Sequence, residues 1–425
     1  MRTEITLNGS TSLADRYLGW APVPAQIGLA DTTGATAPVA VRLRNQNPTR
    51  GGQVVFFTSI PGTEQAELPL TLPETGTPVA FHVAGQFQRP STEDEDAAVE
   101  VIDATTSQVL GITPLMVRIR KNAVTLTTAE RDRFLAAFAT FNDRGMGRFS
   151  DFRNVHTNAG DPEAHGNAGF LPWHRAFLLD LERELQQIDP SVALPYWRFD
   201  QPAPRLFSRA FMGVADPTTA RVQFSAANPL QFWATDGAPG IVRRPFFNTR
   251  TQPATGPGGT VLTEATTLSL GGPADRYWPF RTMEGNPHGT AHVSFSGFIS
   301  SIPTAAKDPL FFLLHANVDR LWAKWQWVKG RFDVTSSSTF SVENRFGDPG
   351  TTRVGHNLND SMWPWNQVTT PPRPPTAPGG TMAPSPLTSA PGLSPTVSAM
   401  IDHQGVRTPA SRLGFDYDDV PFQFQ

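Results

Sequence analysis

Residues 156 to 199 read HTNAGDPEAHGNAGFLPWHRAFLLDLERELQQIDPSVALPYWRF, and the reading of the whole chain turns on them. The stretch holds His156, His165 and His174 at equal intervals. After His174, the apolar residues Phe177, Leu178, Leu181, Leu185 and Ile188 recur at helical spacing, which predicts an amphipathic helix with His174 on its buried stripe. A second group follows. His288 and His292 are four apart and would leave the same face of a helix. His315 shares a helical stripe with Phe311, Val318, Trp322 and Trp325, and Asp308-Pro309 upstream reads as an N-cap followed by proline at the first helical position. Six of the nine histidines lie in these two groups, and cysteine is absent. Imidazole suits copper, zinc, iron and nickel, and no thiolate competes with it here. Two matched sets of three nitrogen donors predict two similar metal ions facing each other. Three helices would point histidines inward, as helical bundles do when they build metal sites. His156 is expected at the end of another helical segment and His165 in a loop.

A lone histidine on an apolar helix face is more often a hydrogen-bonded core residue than a ligand. That reading does not account for two triplets. His82, His356 and His403, outside them, are expected to tolerate replacement by alanine with copper and activity kept. A zinc protease is disfavoured because His288-Gly289-Thr290-Ala291-His292 has Gly289 where the general-base glutamate of H-E-x-x-H belongs.

The stretch from His165 to Arg175, HGNAGFLPWHR, resembles the first copper site of the tyrosinase and catechol oxidase family, the type-3 copper proteins. Asp308 to Trp322, DPLFFLLHANVDRLW, resembles the second. Leu358 to Trp365, LNDSMWPW, and Leu413 to Tyr417, LGFDY, are similar to the family as well, so that the likeness runs over about residues 118 to 420. The resemblance implies two copper ions, one held by His156, His165 and His174 and the other by His288, His292 and His315, with O2 as co-substrate. It implies oxidation of o-diphenols to o-quinones with reduction of O2 to water. The alternatives are a full tyrosinase that hydroxylates monophenols, an o-aminophenol oxidase, and an O2 carrier like the related haemocyanins. Glu284 matches the family's carboxylate that orients a water near the phenolic oxygen, and Ile302 and Val293 fall at the substrate edge. Phe170 and Phe311, each four residues before a histidine, are expected beside the imidazoles. Asp319 is expected either to hold a ligand imidazole by its second nitrogen or to pair with an arginine.

Three departures stand out. Leu314 occupies a place where relatives commonly have a second histidine, Gly289 stands where many phenol-hydroxylating relatives carry asparagine, and a thioether beside a copper ligand is ruled out without cysteine. A copper-loading chaperone and a small phenolic or catecholic substrate complete the implied partners.

Composition bounds the rest. The chain has 425 residues, enough for two domains with sizeable cores. A net charge of −3 gives no electrostatic case for nucleic acid or an anionic membrane. No signal-like apolar segment opens the chain and no run approaches a membrane span, so a cytoplasmic location is expected, with secretion by a partner as the alternative. Residues 1 to 120 alternate in short runs such as Val39, Val41, Leu43 and Val79, Phe81, Val83, separated by Gly, Pro and Asn turns, which predicts a β-sandwich. The period changes at Thr127-Thr128-Ala129-Glu130, a capping box. Residues 121 to 425 are expected to form a mainly helical di-copper domain built on a four-helix bundle with long loops, irregular over 201 to 280 and carrying a Pro-rich extended segment over 366 to 398.

Overall fold

The structure is a computed structural model, and residues 1–12, 16–156, 161–343, 355–365 and 396–422 are described. Most of the expected Pro-rich segment, residues 366–395, lies outside the described residues. The chain divides into two compact units, one of Met1–Ile119 with Gly414–Gln425 and the other of Arg120–Leu413.

The first unit is built from β1 (Arg2–Leu7), β2 (Tyr17–Leu18), β3 (Val23–Asp31), β4 (Val39–Asn45), β5 (Val54–Phe57), β6 (Glu67–Leu72), β7 (Val79–Gly85), β8 (Ala97–Asp103) and β9 (Val109–Val117). They form a four-stranded sheet in the order β1-β3-β7-β5 and a five-stranded sheet in the order β2-β9-β8-β4-β6. All pairings are antiparallel except β2 with β9. In β4 the buried Val39, Val41 and Leu43 alternate with Ala40 and Arg42, as a half-buried strand requires. β5 is different: Val54, Val55, Phe56 and Phe57 are all buried, so period-two alternation cannot reveal it. The expected boundary at residue 121 needs one correction. The final segment, Gly414–Gln425, belongs with the first unit, because the Asp416 carboxylate accepts the Trp20 backbone N–H at 2.7 Å and the Trp20 indole donates to the Tyr417 carbonyl at 2.9 Å. Gly19 permits this approach, since a Cβ there would collide with the Asp416 carboxylate.

The second unit contains α1 (Thr128–Asn142), α2 (Phe149–Asn154), α3 (Asp161–Ala164), α4 (Phe170–Ile188), α5 (Glu264–Leu268), α6 (Tyr277–Arg281), α7 (Thr290–Val293), α8 (Ile302–Ala305) and α9 (Leu310–Lys329). α1 begins at the capping box, with Thr127 and Glu130 bonding reciprocally. α9 begins where the Asp308 carboxylate accepts the Leu310 N–H, and it stops at Gly330, whose φ of 62° suits a residue without a side chain. α4 packs against both α1 and α9. Their seam is aromatic. Phe152 stacks on Phe177 with centroids 4.6 Å apart, Phe138 meets Phe312 at 5.6 Å, and Phe149 meets Trp233 at 4.7 Å. Such contacts add roughly 0.5–1.5 kcal/mol each beyond burial.

The expected bundle of four helices is seen only in part among the described residues. Three helices are long, and the segment that carries His288 and His292 runs on from α6 through a wide turn over Gly285–Gly289 into the one-turn α7. Gly285, Pro287 and Gly289 explain this. Two glycines raise the entropic cost of a helix and proline removes a donor, and Asn286 accordingly departs from helical dihedrals. Residues 201–280 contain two-residue strand pairs and single turns around α5 and α6. Among the described residues no helix is long and apolar enough to cross a membrane.

Candidate metal centre

Two histidines come from the second turns of long helices, where burial is complete. His174 on α4 and His315 on α9 stack with ring centroids 4.2 Å apart and an angle of 11°. His156 follows the end of α2, and its ring lies 5.5 Å from that of His174. His165 lies in the bend between α3 and α4, with its ring 5.0 Å from His156 and 5.2 Å from His174. His288 and His292 face each other at 4.7 Å, and their Nε2 atoms lie 3.3 and 3.1 Å from Nε2 of His315. The six imidazoles thus make one cluster. Nitrogens of His156, His174 and His315, and those of His288, His292 and His315, each lie within 4.8 Å of one another, so that His315 sits at the junction.

The hydrogen bonds decide the tautomers. A carbonyl can only accept, so the Nδ1–H of His174 donates to Phe170 (2.8 Å), that of His288 to Glu284 (2.7 Å) and that of His292 to Ile299 (2.7 Å). Each of these rings therefore turns an unprotonated Nε2 inward, and the buried Nε2 of His174 meets no hydrogen-bond partner. Converging lone pairs from neutral imidazoles are stable only around a cation, which is how this donor set fits a metal. Burial first, then the neighbouring imidazoles, holds His156, His174, His288 and His315 well below the usual histidine range, and burial lowers His292 to about 4.

Phe170 lies 4.8 Å from His174 and 4.8 Å from His288, and Phe311 lies 4.2 Å from His315 and 4.6 Å from His156. Each ring so touches imidazoles of both triplets. Asp319 does something else. Its carboxylate is engaged by Arg175 (2.6 Å) and Arg120 (3.3 Å), the contacts that the ion-pair alternative expects. Arg120 also pairs with Glu182 at 2.8 Å, and Arg175 lies 3.8 Å over the Trp322 ring. α4 and α9 are therefore clamped behind the histidines by charges that are themselves buried.

A cavity of about 340 Å³ opens over the cluster. Its lining includes His156, His165, His288 and His292 at the base, Glu284 and Gly289 at one side, and Val293 and Ile302 at the rim, each of the last two 42% exposed. Ser300 and Ser301, which carry no pattern in the sequence, line it too. Glu284 accepts the Gly166 N–H at 2.7 Å and pairs with Arg281 at 2.7 Å. Burial pushes its carboxyl up, against the pull of these two partners. Of the remaining histidines, His356 and His403 are completely buried, and His356 Nδ1 accepts the Gly169 N–H at 2.9 Å, so alanine at 356 would leave a buried N–H without that acceptor.

A histidine-lined centre of this kind fits metal ions held by neutral imidazoles. The common central domain of tyrosinase matches residues 146–328 as a family model. The chain is 34% identical over 277 residues to a tyrosinase of Streptomyces glaucescens, covering 59% of this chain and 93% of that one, and 32% identical over 267 residues to grixazone synthase of Streptomyces griseus subsp. griseus, covering 50% and 85%. A solved tyrosinase from Burkholderia thailandensis is 18% identical, with a TM-score of 0.41 over 72% of this chain and 76% of that one. The chain belongs to the tyrosinase family, whose members bind two copper ions.

Proposed function

We propose that His156, His165 and His174 hold one copper and His288, His292 and His315 the other, and that the chain oxidises o-diphenols to o-quinones as O2 is reduced to water, with only weak hydroxylation of monophenols. When bound, the two metals supply a two-electron redox pair and a Lewis acid for the phenolic oxygen. The remaining work falls to the chain's own residues. The apolar rim of Val293 and Ile302 admits an aromatic ring, and Phe170 and Phe311 exclude water around the imidazoles.

The observation that carries the diphenol preference is Gly289 beside Glu284. A monophenol must first lose a proton of ordinary pKa about 10. General-base help requires an acceptor, or a water held by one, within hydrogen-bond reach of that proton. Glu284 supplies a carboxylate fixed by Gly166 and Arg281, but Gly289 has no side chain to hold a water from the other side. Catechols need less of this help. Gly289 has an ordinary φ of −58°, and a Cβ there would lie 3.3 Å from the Glu284 carbonyl oxygen, so an asparagine fits once that carbonyl gives by a few tenths of an ångström.

The test compares initial rates on a matched phenol and catechol in wild type and in Gly289→Asn. Wild type is expected to favour catechol at least ~10²-fold, the lower end of what a positioned base contributes, and the variant to gain on phenol with catechol unchanged. Equal rates in wild type, or no gain in the variant, would contradict the reading. Adding an o-aminophenol to the panel tests that rival. An O2 carrier would need the site blocked, and the open cavity between Val293 and Ile302 favours turnover instead.

A further inference from the structure

The bend from His165 to Gly169 carries one of the six histidines without a helix to fix it. Side chains from three other parts of the chain hold its backbone. Glu284 accepts the Gly166 N–H at 2.7 Å, the Tyr277 hydroxyl donates to the Ala168 carbonyl at 2.6 Å, and His356 Nδ1 accepts the Gly169 N–H at 2.9 Å. Tyr277 and His356 are completely buried. Because the amide can only donate, Nδ1 of His356 is the acceptor, and that ring is no donor toward the loop. Gly169 makes the contact attainable: a Cβ there would lie 2.7 Å from His356 Nδ1 and would collide with the Gly355 carbonyl. The other flank is fastened from the same side. Glu163, two residues before His165, accepts the Trp363 N–H at 3.0 Å. Residues 355–365 thus grip the chain both before and after His165.

We propose that His356 and Tyr277 are positioning residues for His165, acting through the backbone of the 165–169 bend to keep its imidazole at the 5.0 and 5.2 Å ring distances from His156 and His174. The inference rests on the reading that His165 is a ligand of the first copper. Neither side chain touches substrate or metal. Their loss lets the bend drift and weakens one copper site while the other, built from His288, His292 and His315, is untouched.

Copper is titrated into metal-free wild type, His356→Leu, His356→Asn, Tyr277→Phe, His165→Ala and Leu206→Ala, with the affinity of each copper and the melting temperature read on the same samples. Wild type should bind two coppers tightly. His356→Leu should keep one and bind the other ~10-fold to 100-fold more weakly, the usual range for groups that support a ligand from behind. Tyr277→Phe should shift the same copper in the same direction. His356→Asn, whose amide oxygen can accept the Gly169 N–H, should recover most of the affinity. Leu206→Ala, a fully buried truncation outside this network, should melt earlier yet keep both affinities. Unchanged affinities in His356→Leu and Tyr277→Phe, or an equal weakening in Leu206→Ala, would overturn the inference alone. Fewer than two coppers in wild type, or two tight coppers in His165→Ala, would overturn the ligand reading and this inference with it. If His356→Leu does not fold, Tyr277→Phe decides by the same criterion.

Discussion

The histidines of the centre are held in two different ways. His174 and His315 sit in the second turns of the long helices α4 and α9, stacked on each other, with the aromatic seam on one side and the Arg120, Arg175, Glu182, Asp319 network behind them. His165, His288 and His292 sit on bends or single turns, and hydrogen bonds to or from backbone groups orient them or their loops. Helix packing holds the first pair, with a backbone bond from His174 to Phe170 besides, and directional bonds without a long helix hold the others. A change behind the first pair should therefore cost stability, whereas a change around the others should cost metal affinity or substrate selection with the fold intact.

The largest effect is expected on the packed side. Asp319→Ala leaves Arg120 and Arg175 facing each other's neighbourhood without their shared carboxylate, and breaking a buried pair from one side costs about 3–5 kcal/mol. Chemical denaturation of the metal-free chain should show it. A loss below about 1 kcal/mol would mean that the aromatic seam alone sets the spacing of α4 and α9.

Acid should come next, and it acts on both groups. The buried histidines resist protonation in the folded chain, while the unfolded chain takes up protons near pH 6.5. The unfolded state thus binds more protons as pH falls below 6.5, and the metal-free protein should lose stability from there down through pH 4, the region to which burial lowers His292. Flat stability between pH 6.5 and 4 would contradict the buried, neutral state of the cluster.

The smallest effect belongs to the rim. Ile302→Gly should widen the range of bulky diphenols accepted, by the roughly 1–3 kcal/mol that apolar pockets use to discriminate size, with melting little changed. An unaltered profile of kcat/KM across such substrates would place Ile302 outside the entry path.

The same division explains what the sequence disclosed. His174 and His315 announce themselves because their helices repeat apolar residues at 3.6-residue spacing, and the capping box at Thr127 marks α1 as plainly. The strands with alternating valines were readable too. β5 was not, since a strand buried on both faces shows no alternation, and neither was the return of Asp416 and Tyr417 to Trp20, which spans nearly the whole chain. The i,i+4 spacing of His288 and His292 identified neighbours correctly but overstated the helix, because it ignored Gly285, Pro287 and Gly289. Asp319 was ambiguous for a different reason: its partners Arg120 and Arg175 are 199 and 144 residues away. His356 looked dispensable because its partner is a backbone N–H, and a backbone group leaves no signature in a sequence.

The account stands or falls on whether six histidines make a working pair of copper sites. The direct measurement is copper content and quinone formation from catechol on one preparation, in wild type and in His174→Ala. Wild type is predicted to hold two coppers per chain and to consume O2 as it forms quinone, and His174→Ala to lose one copper and the activity while remaining folded. Normal turnover in His174→Ala, or a wild-type chain that takes up fewer than two coppers and leaves catechol unoxidised, would contradict it.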